Sequence, residues 1–202
     1  ATRPDPWTLK APEGAPNIVI VMLDDFGFGQ SSAFGGPIRM PAADKLASQG
    51  VVYNRFHTTA LCSSTRAALR TGRNHHSASM AVIPELSTSF PSYTGIISDR
   101  TASIAEILRL NGYNTAHYGK SHETAAWETS ISGPYDRWPT RRGFEEFYGF
   151  IGGETNQFRP ALYHGTNKVE LNEEDPNYHL TEDMADKAIQ YMKAQKSLTP
   201  DK

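Results

Sequence analysis

The chain has 202 residues, enough for one α/β domain with a substantial core, and its 20 Lys and Arg against 22 Asp and Glu leave a formal charge of -2. No basic block runs through it and no apolar stretch reaches transmembrane length, so the expected partners include no nucleic acid and no membrane. The single cysteine, Cys62, excludes an internal disulfide framework and leaves cytoplasm and periplasm both open; the start lacks an apolar signal core, which a removed leader would not leave behind.

Residues 1–16 hold four prolines and read as an extended arm on the body, anchored by Trp7 and Leu9. Residues 17–23 form a short β-branched and aliphatic run, the pattern of a strand covered on both faces in a parallel sheet. Asp24 and Asp25 follow at its carboxyl end, the sheet edge where open α/β folds bind ligands. Two adjacent carboxylates there suit a hard cation, Ca²⁺ or Mg²⁺, although from these residues alone a polar turn before Gly27 and Gly29 is the preferred reading. Pro41–Gln49, with proline at the first helical position and Gly50 just beyond, is a packing helix with Leu46 and Ala47 on one face. Residues 51–57 alternate as a second strand leading into the cysteine loop.

Cys62 then opens a helix, where free backbone N–H groups and the positive end of the helix dipole face any anion. Arg66, one turn on, can bring a fork of donors to the same place. Taken alone, a lone cysteine is as readily a small buried hydrophobe. His75 and His76 are adjacent, a poor arrangement for binding one ion, and read as polar or capping residues. Residues 77–99 are rich in Ser, Pro and Gly without period and read as a long loop over the site. Ser103 and Glu106 make a capping box for a helix whose Ile104, Ile107 and Leu108 share a face and which Gly112 ends. Residues 114–119 form a short strand, with Lys120 and His122 turned to one side at its end.

Trp127, Tyr135, Trp138, Phe144, Phe147, Tyr148 and Phe150 supply core and walls for an aromatic pocket. Asn156, Phe158 and Arg159 could reach that pocket, and residues 166–176 form a charged surface excursion. A last helix is capped at Thr181 and runs to Gln195 with Ala185, Ala188, Ile189 and Met192 inward.

Three elements in order carry a family resemblance: Asn17 to Asp25 with its terminal aspartates, the run Cys62-Ser63-Ser64-Thr65-Arg66 followed by Leu69, Thr71, Gly72 and Arg73, and Gly119-Lys120-Ser121-His122. They resemble the formylglycine-dependent sulfatases, of bacterial arylsulfatase type, in the alkaline phosphatase superfamily. The stretches 127–150 and 177–188 are similar as well, and residues 143–152 resemble a family strand and its following loop. Ser64 stands where that family usually has proline.

The resemblance implies an alkaline-phosphatase-like α/β sandwich with a largely parallel central sheet flanked by helices. Residues 17–202 would be the amino-terminal part of its catalytic domain, to be completed by a carboxyl-terminal part. It implies that a formylglycine-generating enzyme oxidises Cys62 to an aldehyde whose hydrate attacks a small-molecule sulfate ester. Arg66 would hold the hydrate, Lys120 and His122 would bind the sulfate, and His122 would take a proton. Asp24, Asp25 and the converted Cys62 would hold Ca²⁺, with Mg²⁺ the lesser fit. A phosphonate monoester or phosphodiester hydrolase of the same superfamily is the nearest alternative. A non-catalytic anion-binding module is the other, should Cys62 stay a thiol.

Overall fold

A computed structural model describes residues 9–171 and 175–198. Trp7 and the rest of residues 1–8 of the expected arm lie outside the described residues, as do residues 172–174 of the surface excursion; Leu9 is exposed and anchors nothing.

The sheet has the order β1-β2-β3-β4. β1 (Ala116–Ser121) and β2 (Glu146–Ile151) pair in parallel along their whole length, from Ala116↔Glu146 to Ser121↔Ile151. β3 (Tyr163–His164) and β4 (Asn167–Lys168) add a short antiparallel hairpin, closed by a Gly165-Thr166 turn in which Gly165 has φ 63°. At the centre of the parallel pair Gly119 faces Gly149, and a Cβ on Gly149 would fall 2.0 Å from the Gly119 carbonyl oxygen. Only glycine lets the two strands close there.

Alternation divides the strand side chains between two faces. On one face Tyr148 and Phe150 form a buried cluster with Leu162 and Leu180, joined by Tyr118 and Met184. α4 (Leu180–Leu198) covers that face, and its first turn is tied to β2 because the Tyr148 and Tyr178 hydroxyls both donate to Asp183 Oδ2, at 2.6 and 3.0 Å. On the other face His117 packs edge-on against Phe144 and Phe147 and meets Arg70 of α2 (Cys62–Thr71). A second cluster of Ala67, Ala78 and Met80 fastens the loop of residues 77–99 to α2. Helices therefore flank the sheet on both sides. α3 (Ile104–Leu110) begins with the expected cap: Ser103 Oγ accepts from the Glu106 N–H at 3.0 Å and donates to the Arg142 carbonyl.

The two strands expected over 17–23 and 51–57 do not form. Both segments are free of ladder bonds and expose their apolar residues, Val21 to 79% and Val51 to 81%. A strand exists only where a neighbour takes its N–H and C=O groups, and among the described residues none is offered. Residues 17–24 face the unpaired edge of β1 across a groove of about 1070 Å³, lined by Ile18, Ile20 and Met22 on one side and by Ala116 and Tyr118 on the other. The expected helices form, but the packing expected of α1 and α4 does not. α1 (Pro41–Gln49) buries none of its residues and Leu46 is exposed; it is held by Ser32 Oγ, which donates to Asp44 at 2.9 Å. α4 turns Leu180, Met184 and Tyr191 toward the sheet rather than Ile189 and Met192, starts at Leu180 with Thr181 already inside it, and continues to Leu198. Ile104 and Leu108 of α3 and Met192 of α4 line the same groove.

Candidate active site

The amino terminus of α2 is fixed from the loop before it. Thr59 and Thr65 share a hydroxyl bond of 2.7 Å, Thr59 Oγ1 donates to the Leu61 carbonyl, and the first intrahelical bond is Thr65 N–H to Leu61 O. The N–H groups of Cys62, Ser63 and Ser64 precede that bond and, among the described residues, meet no acceptor, as at any helix start able to face an anion. Ser64 is buried and donates to the Met80 carbonyl at 2.6 Å, so the residue that departs from the family pattern locks the long loop to the helix.

Cys62 Sγ lies 3.0 Å from His122 Nδ1, just beyond the end of β1. His122 is nearly enclosed. Its Nε2 meets both Glu85 carboxylate oxygens at 3.0 and 2.9 Å, and a Cβ placed on Gly153 would come within 2.8 Å of its Cε1. One turn along α2, Arg66 donates through Nη1 to the Lys120 carbonyl at 3.0 Å and through Nη2 to Asp24 Oδ1 at 3.1 Å. Lys120 Nζ donates to Asp24 Oδ2 at 2.8 Å. Burial raises the Asp24 pKa, but the hydrogen bonds and charges of Lys120 and Arg66 outweigh it and hold the carboxyl below its usual range. Arg66 Nε is buried with no acceptor, a donor still to be satisfied.

Beneath this layer sits a buried polar network. His117 Nε2 reaches the same Lys120 carbonyl at 3.2 Å, and its Nδ1 faces Arg70 Nη2 at 2.5 Å. Arg70 Nε is 3.1 Å from Glu123 Oε1 and its guanidinium lies over the Phe144 ring. Burial first, then the charges of Arg70 and Arg66, hold His117 well below the ordinary histidine value. It is therefore a neutral spacer, donating from Nε2 and accepting at Nδ1.

Cys62, Arg66, Lys120, His122 and Asp24 are thus brought together from three separate segments. Asp25 is not: it has φ 51°, and among the described residues its carboxylate enters no hydrogen bond or ion pair. The aspartates fit a hard cation by type and fall short in number. Such ions take about six to eight oxygens, both Asp24 oxygens are taken by cationic side chains, and no group of three or more His, Cys, Asp or Glu among the described residues could hold a metal. His75 and His76 pack on each other, ring centroids 4.3 Å apart, and His76 meets Tyr93 edge-on. Phe158 is exposed, while Asn156 caps a turn by accepting from the Phe158 and Arg159 N–H groups at 2.8 Å. Of the aromatic stretch, Trp138, Phe147, Tyr148 and Phe150 are core and Trp127 is exposed. Glu85 and Gly153 were not singled out in the sequence; the only signal for Glu85 is its place in an aperiodic loop of unusual length.

The sulfatase family model matches residues 16–201. The chain belongs to the sulfatase family. An uncharacterized sulfatase of Schizosaccharomyces pombe is 33% identical over 159 residues, 75% of this chain and 27% of that protein. The arylsulfatase of Klebsiella aerogenes is 29% identical over 77% of this chain and 32% of its own length, and human steryl-sulfatase 34% identical over 66% and 23%. This sulfatase chain therefore spans between about a quarter and a third of the length of these relatives. Among solved structures, Ps i-CgsB superposes with a TM-score of 0.65 at 22% identity, covering 87% of this chain and 41% of that one. A candidate sulfatase, yidJ of Bacteroides fragilis, gives 0.64 at 22% identity over 83% and 38%. Both likenesses carry the fold: a mixed α/β sheet with flanking helices, seen here in its amino-terminal portion.

Proposed function

We propose that this chain is the amino-terminal, nucleophile-bearing part of a sulfuric ester hydrolase acting on aryl sulfates, with Cys62 converted to formylglycine by a formylglycine-generating enzyme. The observation that carries the reading is the approach of Cys62 Sγ to His122 Nδ1 at the open end of α2, beside two cationic side chains and an unsatisfied Arg66 Nε.

Converted and hydrated, position 62 would supply one hydroxyl to attack sulfur and a second whose deprotonation expels sulfate as the aldehyde reforms. His122 Nδ1, directed at the position 62 side chain, would take that proton. Lys120 Nζ and Arg66 would neutralise the sulfate oxygens as charge moves to the leaving group, and their low exposure makes each charge count for more than in water. Free N–H groups at the start of α2 would add donors to the same anion. Asp24, now between the two cations, would be drawn with Asp25 and position 62 toward Ca²⁺, with Mg²⁺ the lesser fit. That ion would polarise a sulfate oxygen, and its remaining oxygens would come from further polypeptide.

A carboxyl-terminal part of the same protein is accordingly the proposed partner, and the groove between residues 17–24 and β1 is where it would seat. The relatives' printed names include an arylsulfatase and a steryl-sulfatase, and the aryl class is taken from the former. Peptide mass spectrometry across residues 55–66 of the natural full-length protein, with turnover of nitrophenyl sulfate compared with nitrophenyl phosphate and its phosphonate, tests the reading. Conversion at residue 62 with preference for the sulfate is the expected result. Preference for the phosphorus esters would move the assignment to a phosphonate or phosphodiester hydrolase, and an unconverted thiol without turnover would leave an anion-binding module.

A further inference from the structure

The loop of residues 77–99 reaches the site through one side chain. Pro84–Leu86 form a single 3-10 turn with Pro84 buried beneath it, and this turn holds the Glu85 carboxylate against His122 Nε2 at 2.9 and 3.0 Å. From this geometry we propose that Glu85 is a positioning residue, which fixes the tautomer and ring orientation of His122 so that Nδ1 presents its lone pair to the side chain at position 62.

A neutral imidazole carries one N–H and one lone pair, and which nitrogen holds the hydrogen is set by what the other faces. An ionised carboxylate only accepts, so Nε2 must donate to Glu85 and Nδ1 is left as the acceptor, 3.0 Å from Cys62 Sγ. Among the described residues the ring has no other polar partner, and it is 3% exposed, so little water reaches either nitrogen. Gly153 walls its edge, since any Cβ there would meet Cε1 at 2.8 Å. The Glu85 side chain is 46% exposed, which leaves its carboxylate in contact with solvent. Outer partners that orient a functional histidine typically matter by about 10- to 100-fold.

The inference rests on the proposed role of position 62, and its test separates the two. In the natural full-length protein labelled with ¹⁵N-histidine, His122 is assigned by its loss in His122→Gln, and Glu85→Ala and Glu85→Gln are compared with the parent. The parent and Glu85→Gln, whose amide oxygen still accepts, should show the Nε2–H tautomer, and Glu85→Ala a mixture of both. On a sulfate ester, kcat of Glu85→Ala should fall about 10- to 100-fold with KM little changed, and Glu85→Gln should recover most of it. A pure Nε2–H tautomer in Glu85→Ala, or an unchanged kcat there, overturns the proposal. If the parent turns over no sulfate ester, the function fails while the tautomer comparison still decides the role of Glu85.

Discussion

Ser64→Ala isolates a single bond between the helix that bears Cys62 and the loop that bears Glu85. Ser64 is the third residue of α2, 1% exposed, and its hydroxyl donates to the Met80 carbonyl at 2.6 Å. Among the described residues no other donor reaches that carbonyl, and Met80 is itself fully buried. Removing the hydroxyl leaves a buried acceptor unpaired, which costs about 1–3 kcal/mol. Ser64→Pro makes the same deletion in another way. Its missing N–H costs no helix bond, because the first intrahelical donor is Thr65, so its loss should match that of Ser64→Ala within about 0.5 kcal/mol. Urea unfolding of the full-length protein and both variants, followed by tryptophan fluorescence, measures the midpoints at constant m. A Ser64→Ala midpoint equal to the parent would show that the bond does not hold the loop, and a Ser64→Pro loss several-fold larger would show that the backbone geometry at the start of α2 is misread.

Other consequences are equally open to measurement. Asp25→Ala should lower both Ca²⁺ content and sulfate-ester turnover of the full-length protein; unchanged metal by elemental analysis would remove the aspartate pair from the metal site. Cys62→Ser should leave nearly no turnover, since a sulfated serine has no second hydroxyl to release its ester, and sustained turnover by that variant would refute the nucleophile. His117 is held neutral below its ordinary value of 6.5, so the unfolded chain takes up the proton first as pH falls. Its contribution to stability is therefore complete above pH 6.5 and drains below it, with a slope of up to about 1.4 kcal/mol per pH unit. His117→Gln, which can still donate and accept, should flatten that slope in urea titrations between pH 7 and pH 5; an unchanged slope would mean that His117 does not titrate there. Residues 1–202 alone should be inactive and self-associate through the groove beside β1, and a monomeric, cooperatively folding and active fragment would contradict both.

Local signals carried much of this structure. The Ser103 cap and the proline start of α1 were legible because each depends on chemistry within a few positions, whereas Cys62, Arg66, Lys120 and His122 stood out only through the family resemblance. Residues 17–23 and 51–57 have the composition of strands, yet strandedness belongs to a pair and neither has a neighbour to bond. The inward face of α4 was misjudged because Ile189 and Met192 are as apolar as Met184, and only the sheet beneath decides between them. Glu85 was illegible for a different reason. It meets His122 across 37 positions, and nothing near it in the chain marks it as other than a surface carboxylate.

The contact between Cys62 and His122 closes a loop of 60 positions, and that span sets a clock. At about 5–20 residues per second, the histidine emerges roughly 3–12 s after the cysteine. Until then the thiol rides on a nascent segment with no imidazole over it, no Glu85 turn clamped beside it and no β1 behind it. Afterwards it is only partly exposed, with His122 against it. The proposed oxidation of this sulfur would therefore race the ribosome and the pairing of β1 with β2, and a pause in translation between residues 62 and 122 would lengthen the opportunity for it.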